Sequence, residues 1–183
     1  MTEFKETELD ERAIKMAKVL SADAVERAGH GHPGSPVSLA PIAYTLYQHF
    51  IKHDPNDPNW DRFILSGGHA SLTQYVQLYF SGYGLTLDDL KNFRGGADTR
   101  TPGHPEYGLT PGIEMTTGPL GQGFASAIGF AYGQRFQRGL IRKLRQANPR
   151  STTTSGSSAA KAISKKVSLA KLPPSLPTSS WAT

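Results

Sequence analysis

The sequence predicts an α/β protein, an open sheet flanked by helices with its site at the strand ends. Three observations predict it. A short apolar run, Arg62-Phe63-Ile64-Leu65-Ser66, ends in Gly67-Gly68 and sits between two helical patterns. Three histidines stand in glycine-bounded turns: Gly31-His32-Pro33-Gly34, Gly68-His69-Ala70 and Pro102-Gly103-His104-Pro105-Glu106. A fourth glycine-rich turn, Thr117-Gly118-Pro119-Leu120-Gly121-Gln122-Gly123, opens a helix. Loops gathered at strand ends are where open α/β sheets bind ligands.

The elements follow in order. Residues 8–28 read as an amphipathic helix, with Leu9, Ile14, Ala17, Leu20, Ala24 and Val25 near one face and Gly29 placed to end it. Ser35 is the expected N-cap of a second helix marked by Val37, Ala40, Ala43, Leu46, Tyr47 and Phe50, with Pro41 tolerated near its start. Residues 54–60 are a Pro/Asn/Asp loop, and residues 62–66 a buried strand with His69 just beyond it. A helix over 71–83 carries Leu72, Tyr75, Val76 and Tyr79 on one side. Thr86-x-x-Asp89 is a capping box for a short helix over 87–93, and residues 94–112 are loop. The last helix runs over 121–138, where Ala125, Gly129 and Gly133 recur every four residues and predict close approach to another backbone.

The chain has 183 residues and no cysteine, which excludes a disulfide framework and a thiolate zinc site. Its net charge of +5 is unevenly distributed. Residues 1–140 hold 12 Lys/Arg and 15 Asp/Glu, whereas residues 141–183 hold 8 Lys/Arg, 14 Ser/Thr and no acid. The basic pI therefore belongs to a low-complexity tail of the kind that is usually disordered. The charged start, Met1-Thr2-Glu3-Phe4-Lys5-Glu6, has no apolar core of a secretory signal, and the reading is a cytoplasmic protein. The longest uncharged run, Met115 to Gln134, is interrupted by Gly118, Gly121, Gln122, Gly123 and Ser126, so it reads as a buried small-residue helix and not a membrane span.

Glycines beside a histidine let backbone N–H groups approach an anion or a flat ring, and a neutral imidazole offers one donor and one acceptor. The helix entered at Leu120 would turn its N-terminus toward the same ligand, favouring a diphosphate. Each turn taken alone also reads as an ordinary tight turn. His49 and His53 lack such a setting and read as structural or surface residues. No metal ligand set is assigned: His30 and His32 form a His-x-His pair, but in a loop with no third ligand nearby in sequence.

Taken together, residues 10–140 resemble the N-terminal part of the transketolases. The segments carrying the resemblance are Gly31-His32-Pro33-Gly34, Arg62 through Ala70, Lys91-Asn92-Phe93-Arg94, Thr101 through Glu106, and Thr116 through Gly123. The resemblance implies an incomplete three-layer α/β/α thiamine-diphosphate-binding domain with a mainly parallel sheet. It implies thiamine diphosphate with Mg2+ or Ca2+ as cofactors, sugar phosphates as substrates, and a homodimer in the intact family, in the pentose phosphate pathway. The family moves a two-carbon ketol unit from a ketose phosphate to an aldose phosphate, with the carbon chemistry carried by the cofactor. His32 and His104 would be the catalytic residues, His32 on the ketose and His104 beside the reactive carbon. His69 would hold the diphosphate, and Gly118, Pro119 and Leu120 would lie along the cofactor. His30 departs from the small polar residue the family commonly has there.

The resemblance divides the chain into 1–140, a partial diphosphate-binding domain, and 141–183, the basic tail. The tail offers no apolar pattern able to complete a sheet. In the alternative frame that codon degeneracy permits, Leu140 onward accommodates L-D-P-E-A-P-A-G-E-S-S-F-D-H-H-I-W-V-V. The codons of Trp181 and Ala182 force a glycine where the family-like L-G-N needs one. These stretches are close to what transketolases have next, so the tail reads as the product of a one-base frameshift near codon 140. The family's Gly-Asp-Gly metal motif and second domain are absent from this sequence, so the chain alone is not expected to grip the cofactor and reads as a truncated, inactive transketolase. Two alternatives stand beside that reading: one chain of a split transketolase, and a non-enzymatic protein binding through its basic tail. The scarcity of aromatic residues in that tail weighs against nucleic acid.

Overall fold

The computed structural model describes residues 6–52, 61–147 and 167–170. The expected 54–60 loop, His53 and most of the 141–183 tail lie outside the described residues.

The first helix, α1 (Glu8–Ala28), begins at Thr7, whose hydroxyl accepts from the Asp10 amide while the Asp10 carboxylate accepts from the Thr7 amide. This reciprocal cap satisfies amides that have no partner within the helix. Gly29 ends the helix at φ 72, as expected. The inward face is not quite the expected one. Leu9 is 71% exposed and Asp10 is buried instead. The cause is the cap: Asp10 turns inward, where it also accepts from the Tyr44 hydroxyl at 3.0 Å and lies 3.2 Å from the His49 ring nitrogen. Ile14, Ala17, Ser21 and Ala24 continue the buried stripe.

The second helix, α2 (Gly34–Thr45), starts one residue before Ser35 and has no side-chain cap, so Ser35 lies inside the first turn. Pro41 is an interior residue, not one near the start; it has no N–H to give the preceding turn. The helix then widens into a π-helical turn, Leu46–Phe50, that ends with Phe50 exposed.

Strand β1 (Arg62–Leu65) leads through a 3-10 turn, Gly68–Ala70, into α3 (Ser71–Phe80). This helix is the centre of the molecule. It packs against α1 and α2 and against α4 (Leu87–Lys91). Every residue from Ser71 to Leu78 is buried, where the sequence pattern predicts one apolar side. The side-chain pattern is mixed because Gln74 and Gln77 share the interior with Leu72, Tyr75 and Val76. It ends at Phe80, three residues short of the expected Tyr83, and left-handed Gly82 and Gly84 let Tyr83 and Leu85 fold back into the core. α4 carries the expected Thr86–Asp89 capping box.

The last helix, α5 (Gln122–Ala147), runs nine residues beyond the expected end at 138, carrying Gly139 within it and meeting no proline before its end. Its close approach to backbone occurs at Gly123, where an added Cβ would collide with the Leu65 carbonyl. At Gly129 and Gly133 nothing stands within 4 Å of that position, which corrects the expectation drawn from their spacing. The helix is also not a buried one. Ala127 is fully buried, but Ile128, Tyr132 and Phe136 are 51%, 72% and 63% exposed. The described residues lack a second layer on that face. Among them no helix is long and apolar enough to cross a membrane.

Strand β2 (Val167–Ala170) pairs parallel with β1, Arg62 opposite Val167 and Leu65 opposite Ala170. Part of the tail therefore does join the sheet, against the expectation that it could not. Parallel pairing is made by main-chain groups, and unpaired N–H and C=O on β1 accept a partner without a side-chain pattern. The described residues are mainly helical, with these two strands.

Candidate functional site

Gly67 and Gly68, at the end of β1, organise the site. A Cβ at Gly68 would meet the Thr117 carbonyl, with the Thr117 carbonyl carbon at 2.7 Å and His104 Cδ2 at 2.9 Å. A Cβ at Gly67 would lie 2.9 Å from His69 Cε1 and 3.6 Å from Leu120 Cδ2. The strand end therefore touches the His104 loop and the entry to α5 at once, and only glycine leaves room for both. The 3-10 turn then swings His69 to the same side.

His32 reaches this point from the loop after α1. Its ring meets the His69 ring edge to face, with centroids 5.4 Å apart and planes at 65°. Partial burial holds His69 below the ordinary histidine value, and nearby His32 and His104 lower it further. His69 is thus a neutral donor and acceptor at neutral pH, while His104 is exposed to a ligand arriving from solvent.

The His104 turn is fastened to α3. Ser71 Oγ donates to the Gly103 carbonyl at 2.9 Å, and the Tyr75 hydroxyl donates to the Pro102 carbonyl at 2.9 Å. Behind it, Thr101 Oγ1 donates to the Asp89 carbonyl and Thr110 Oγ1 to the Arg100 carbonyl, each at 2.6 Å. The Thr117 amide donates to the Pro105 carbonyl at 3.1 Å, tying the loop before α5 to the same turn.

The residues singled out by sequence are thus brought together: His32, His69 and His104 converge on Gly67–Gly68, with Leu120 against Gly67. Gly118 has no neighbour within 4 Å of where its Cβ would point, Pro119 is exposed, and Leu120 is 79% exposed. His30 stands aside, with its Nδ1 at 2.8 Å from the Ala28 carbonyl. His49 is structural, in the Asp10–Tyr44 network. Sequence reasoning missed Ser71, Tyr75 and Thr117. The first two read only as helix residues, since their partners lie about thirty residues away. Thr117 is 1% exposed, and its hydroxyl is buried with no partner.

Such an arrangement suits a diphosphate cofactor. Backbone stripped of Cβ atoms, a neutral imidazole, an orphaned hydroxyl and the first turn of a helix beside the strand end are the groups that bind phosphate oxygens. Among the described residues no group of three or more His, Asp or Glu could hold a metal ion.

The fold and site define a cofactor-binding α/β domain, and comparison with known proteins identifies which. Residues 9–146 match the family described as transketolase, thiamine diphosphate binding domain, and the chain belongs to the transketolase family. A transketolase of Mycobacterium bovis is 56% identical over 138 residues, covering 74% of this chain and 20% of that protein. A crystal structure of a transketolase from Campylobacter jejuni superposes with a TM-score of 0.67 at 46% identity, over 73% of this chain and 21% of its own. One from Pichia stipitis, described as a complex with sedoheptulose-7-phosphate, gives 0.66 at 45% identity, over 70% and 19%. The chain thus spans about a fifth of the length of the relatives it matches.

Proposed function

We propose that this chain supplies the diphosphate side of a ketol-transfer site, within a three-layer α/β/α domain whose sheet is mainly parallel. The convergence of His32, His69 and His104 on Gly67–Gly68 carries the reading. When bound, thiamine diphosphate supplies the electron sink for moving a two-carbon unit. The residues of the chain do the rest. The neutral His69 imidazole and the Thr117 hydroxyl hold diphosphate oxygens. Leu120 and the open face of Gly118 border the cofactor rings. His32 and His104 hold hydroxyls of a sugar phosphate and move a proton between an imidazole nitrogen and a substrate oxygen. The sugar-phosphate complex of the Pichia stipitis relative supports that substrate class. A divalent cation such as Mg2+ or Ca2+ and a second copy of the chain belong to the proposal, and no step is assigned to either.

Titration calorimetry with thiamine diphosphate and Mg2+ on the full chain tests it. Although the sequence lacks the metal motif, the assembled glycine and histidine cradle supports binding by the wild-type chain, weakened about tenfold or more in His69→Ala, as the expected result. Equal affinities, or no heat from the wild type, would remove the proposal.

We also propose that the codons from about 140 onward are read out of frame, and the end of the family match close by, at residue 146, supports it. Resequencing the encoding DNA across codons 135–185 and beyond decides it. One added or missing base that opens a long family-like frame upholds it, and an unambiguous sequence without one refutes it.

A further inference from the structure

Each site histidine follows a glycine, and each of those glycines has a specific group pressed on it. For Gly68 it is the Thr117 backbone. At Gly31, beside His32, both Val25 methyls lie 3.2 Å from where a Cβ would stand and Phe93 Cε1 touches the same point at 3.5 Å; at Gly103 the neighbour is the next residue in sequence, Arg94. The Arg94 guanidinium lies 2.8 to 2.9 Å, through Nε, Cζ and Nη2, from where a Gly103 Cβ would stand, beside His104. Phe93 and Arg94 therefore span the two turns that carry the exposed histidines of the site.

Arg94 is unusual in its own right. It is the one non-glycine residue at positive φ, 60°, among the described residues, although two glycines follow it directly. An arginine kept where glycine would relax the backbone points to a use for its side chain. That side chain forms no ion pair among the described residues, and its Nε is buried without a hydrogen-bond partner. It lies over the Phe93 ring, 5.6 Å from the centroid, so the two residues brace each other. The Arg94 amide also donates to the Thr101 carbonyl at 3.1 Å, closing the loop that leads to His104.

We propose that Phe93 and Arg94 form a clasp that sets the separation of His32 and His104, with Arg94 the positioning residue for His104. The contact is made by the flat guanidinium lying on a glycine that has no side chain to hold it off. A lysine keeps the charge and loses the plane. What this separation serves, spanning a sugar phosphate held against the cofactor, rests on the function proposed above.

Ring 1H–13C spectra of histidine-labelled full chain test the clasp. In Arg94→Gly the backbone strain is relieved, so the melting temperature holds or rises while the His104 ring signal shifts and broadens. Arg94→Lys does not restore that signal, and Phe93→Leu moves the His32 signal. An unmoved His104 signal in Arg94→Gly overturns the proposal. So does a uniform change in all histidine signals that follows the melting temperature. If Arg94→Gly does not fold, Gly103→Ala reads the same contact from the other side, with the same two outcomes for His104. Thiamine diphosphate binding by the wild type is scored separately. Its absence removes the proposed function and leaves the ring signals to decide the clasp.

Discussion

The His32 and His69 rings stand edge to face, 5.4 Å apart, although 37 residues separate them in sequence. Partial burial holds His69 below the ordinary histidine value, and the neighbouring His32 and His104 lower it further. His69 is therefore a neutral donor and acceptor at neutral pH.

The first prediction concerns pH. His69 titrates below its ordinary value of 6.5 in the folded chain, so the unfolded chain binds more protons in the window just below 6.5. Stability rises with pH across that window and is lost as pH falls through it. His69→Gln flattens this dependence. Thermal unfolding scanned between pH 5 and pH 7.5 measures it, and an identical slope in the variant would refute it.

Asp10 works in the opposite part of the scale. Hydrogen bonds from Thr7, then those from Tyr44 and His49, hold its carboxyl at about 2, against an ordinary 3.8. Its contribution is present above 3.8 and is lost as pH falls through about 2. Asp10→Asn lowers the melting temperature at pH 7 and removes this part of the acid limb. Acid titration by circular dichroism shows whether the two chains converge near pH 2.

Gly68→Ala inserts a methyl group against the Thr117 carbonyl and His104 Cδ2. A buried backbone neighbour has little room to yield, so a cost of about 1–3 kcal/mol follows, together with displacement of His104. Denaturant unfolding reads the first effect and thiamine diphosphate titration the second. Gly129→Ala, which meets nothing within 4 Å, is the control and leaves ligand binding unchanged.

Tyr75→Phe removes the hydroxyl that fixes the Pro102 carbonyl. Loss of one buried hydrogen bond costs about 1 kcal/mol. The loop carrying His104 also exchanges faster with solvent, which hydrogen exchange at residues 101–106 detects. Unchanged exchange there would show that Ser71 alone holds the turn.

Much of the site was legible in sequence because glycine-bounded histidines are a local pattern. Gly31-His32, Gly68-His69 and Gly103-His104 each declare a turn with a polar group at its tip. Their convergence was not legible, nor were the tethers. Ser71 and Tyr75 look like any residues of an apolar helix until Gly103 and Pro102 are folded against them. Spacing also misled at α5. Gly129 and Gly133 repeat like a packing seam, yet the close contact is at Gly123, where the helix starts on the strand end.

By itself the sequence determined the elements whose signals are short-range. The Thr7 and Thr86 capping boxes, the Gly29 stop, strand β1 and the four glycine turns all rest on backbone preferences of a few residues. The tertiary structure alone decided which face of each element is buried. Leu9 turned out and Asp10 in because a cap and two distant side chains outweighed one apolar contact. α3 was enclosed on all sides because three helices pack around it, and Val167–Ala170 joined β1 because unpaired strand backbone accepts any segment that can lie beside it. Burial depends on what arrives from elsewhere in the chain, and no local pattern records that.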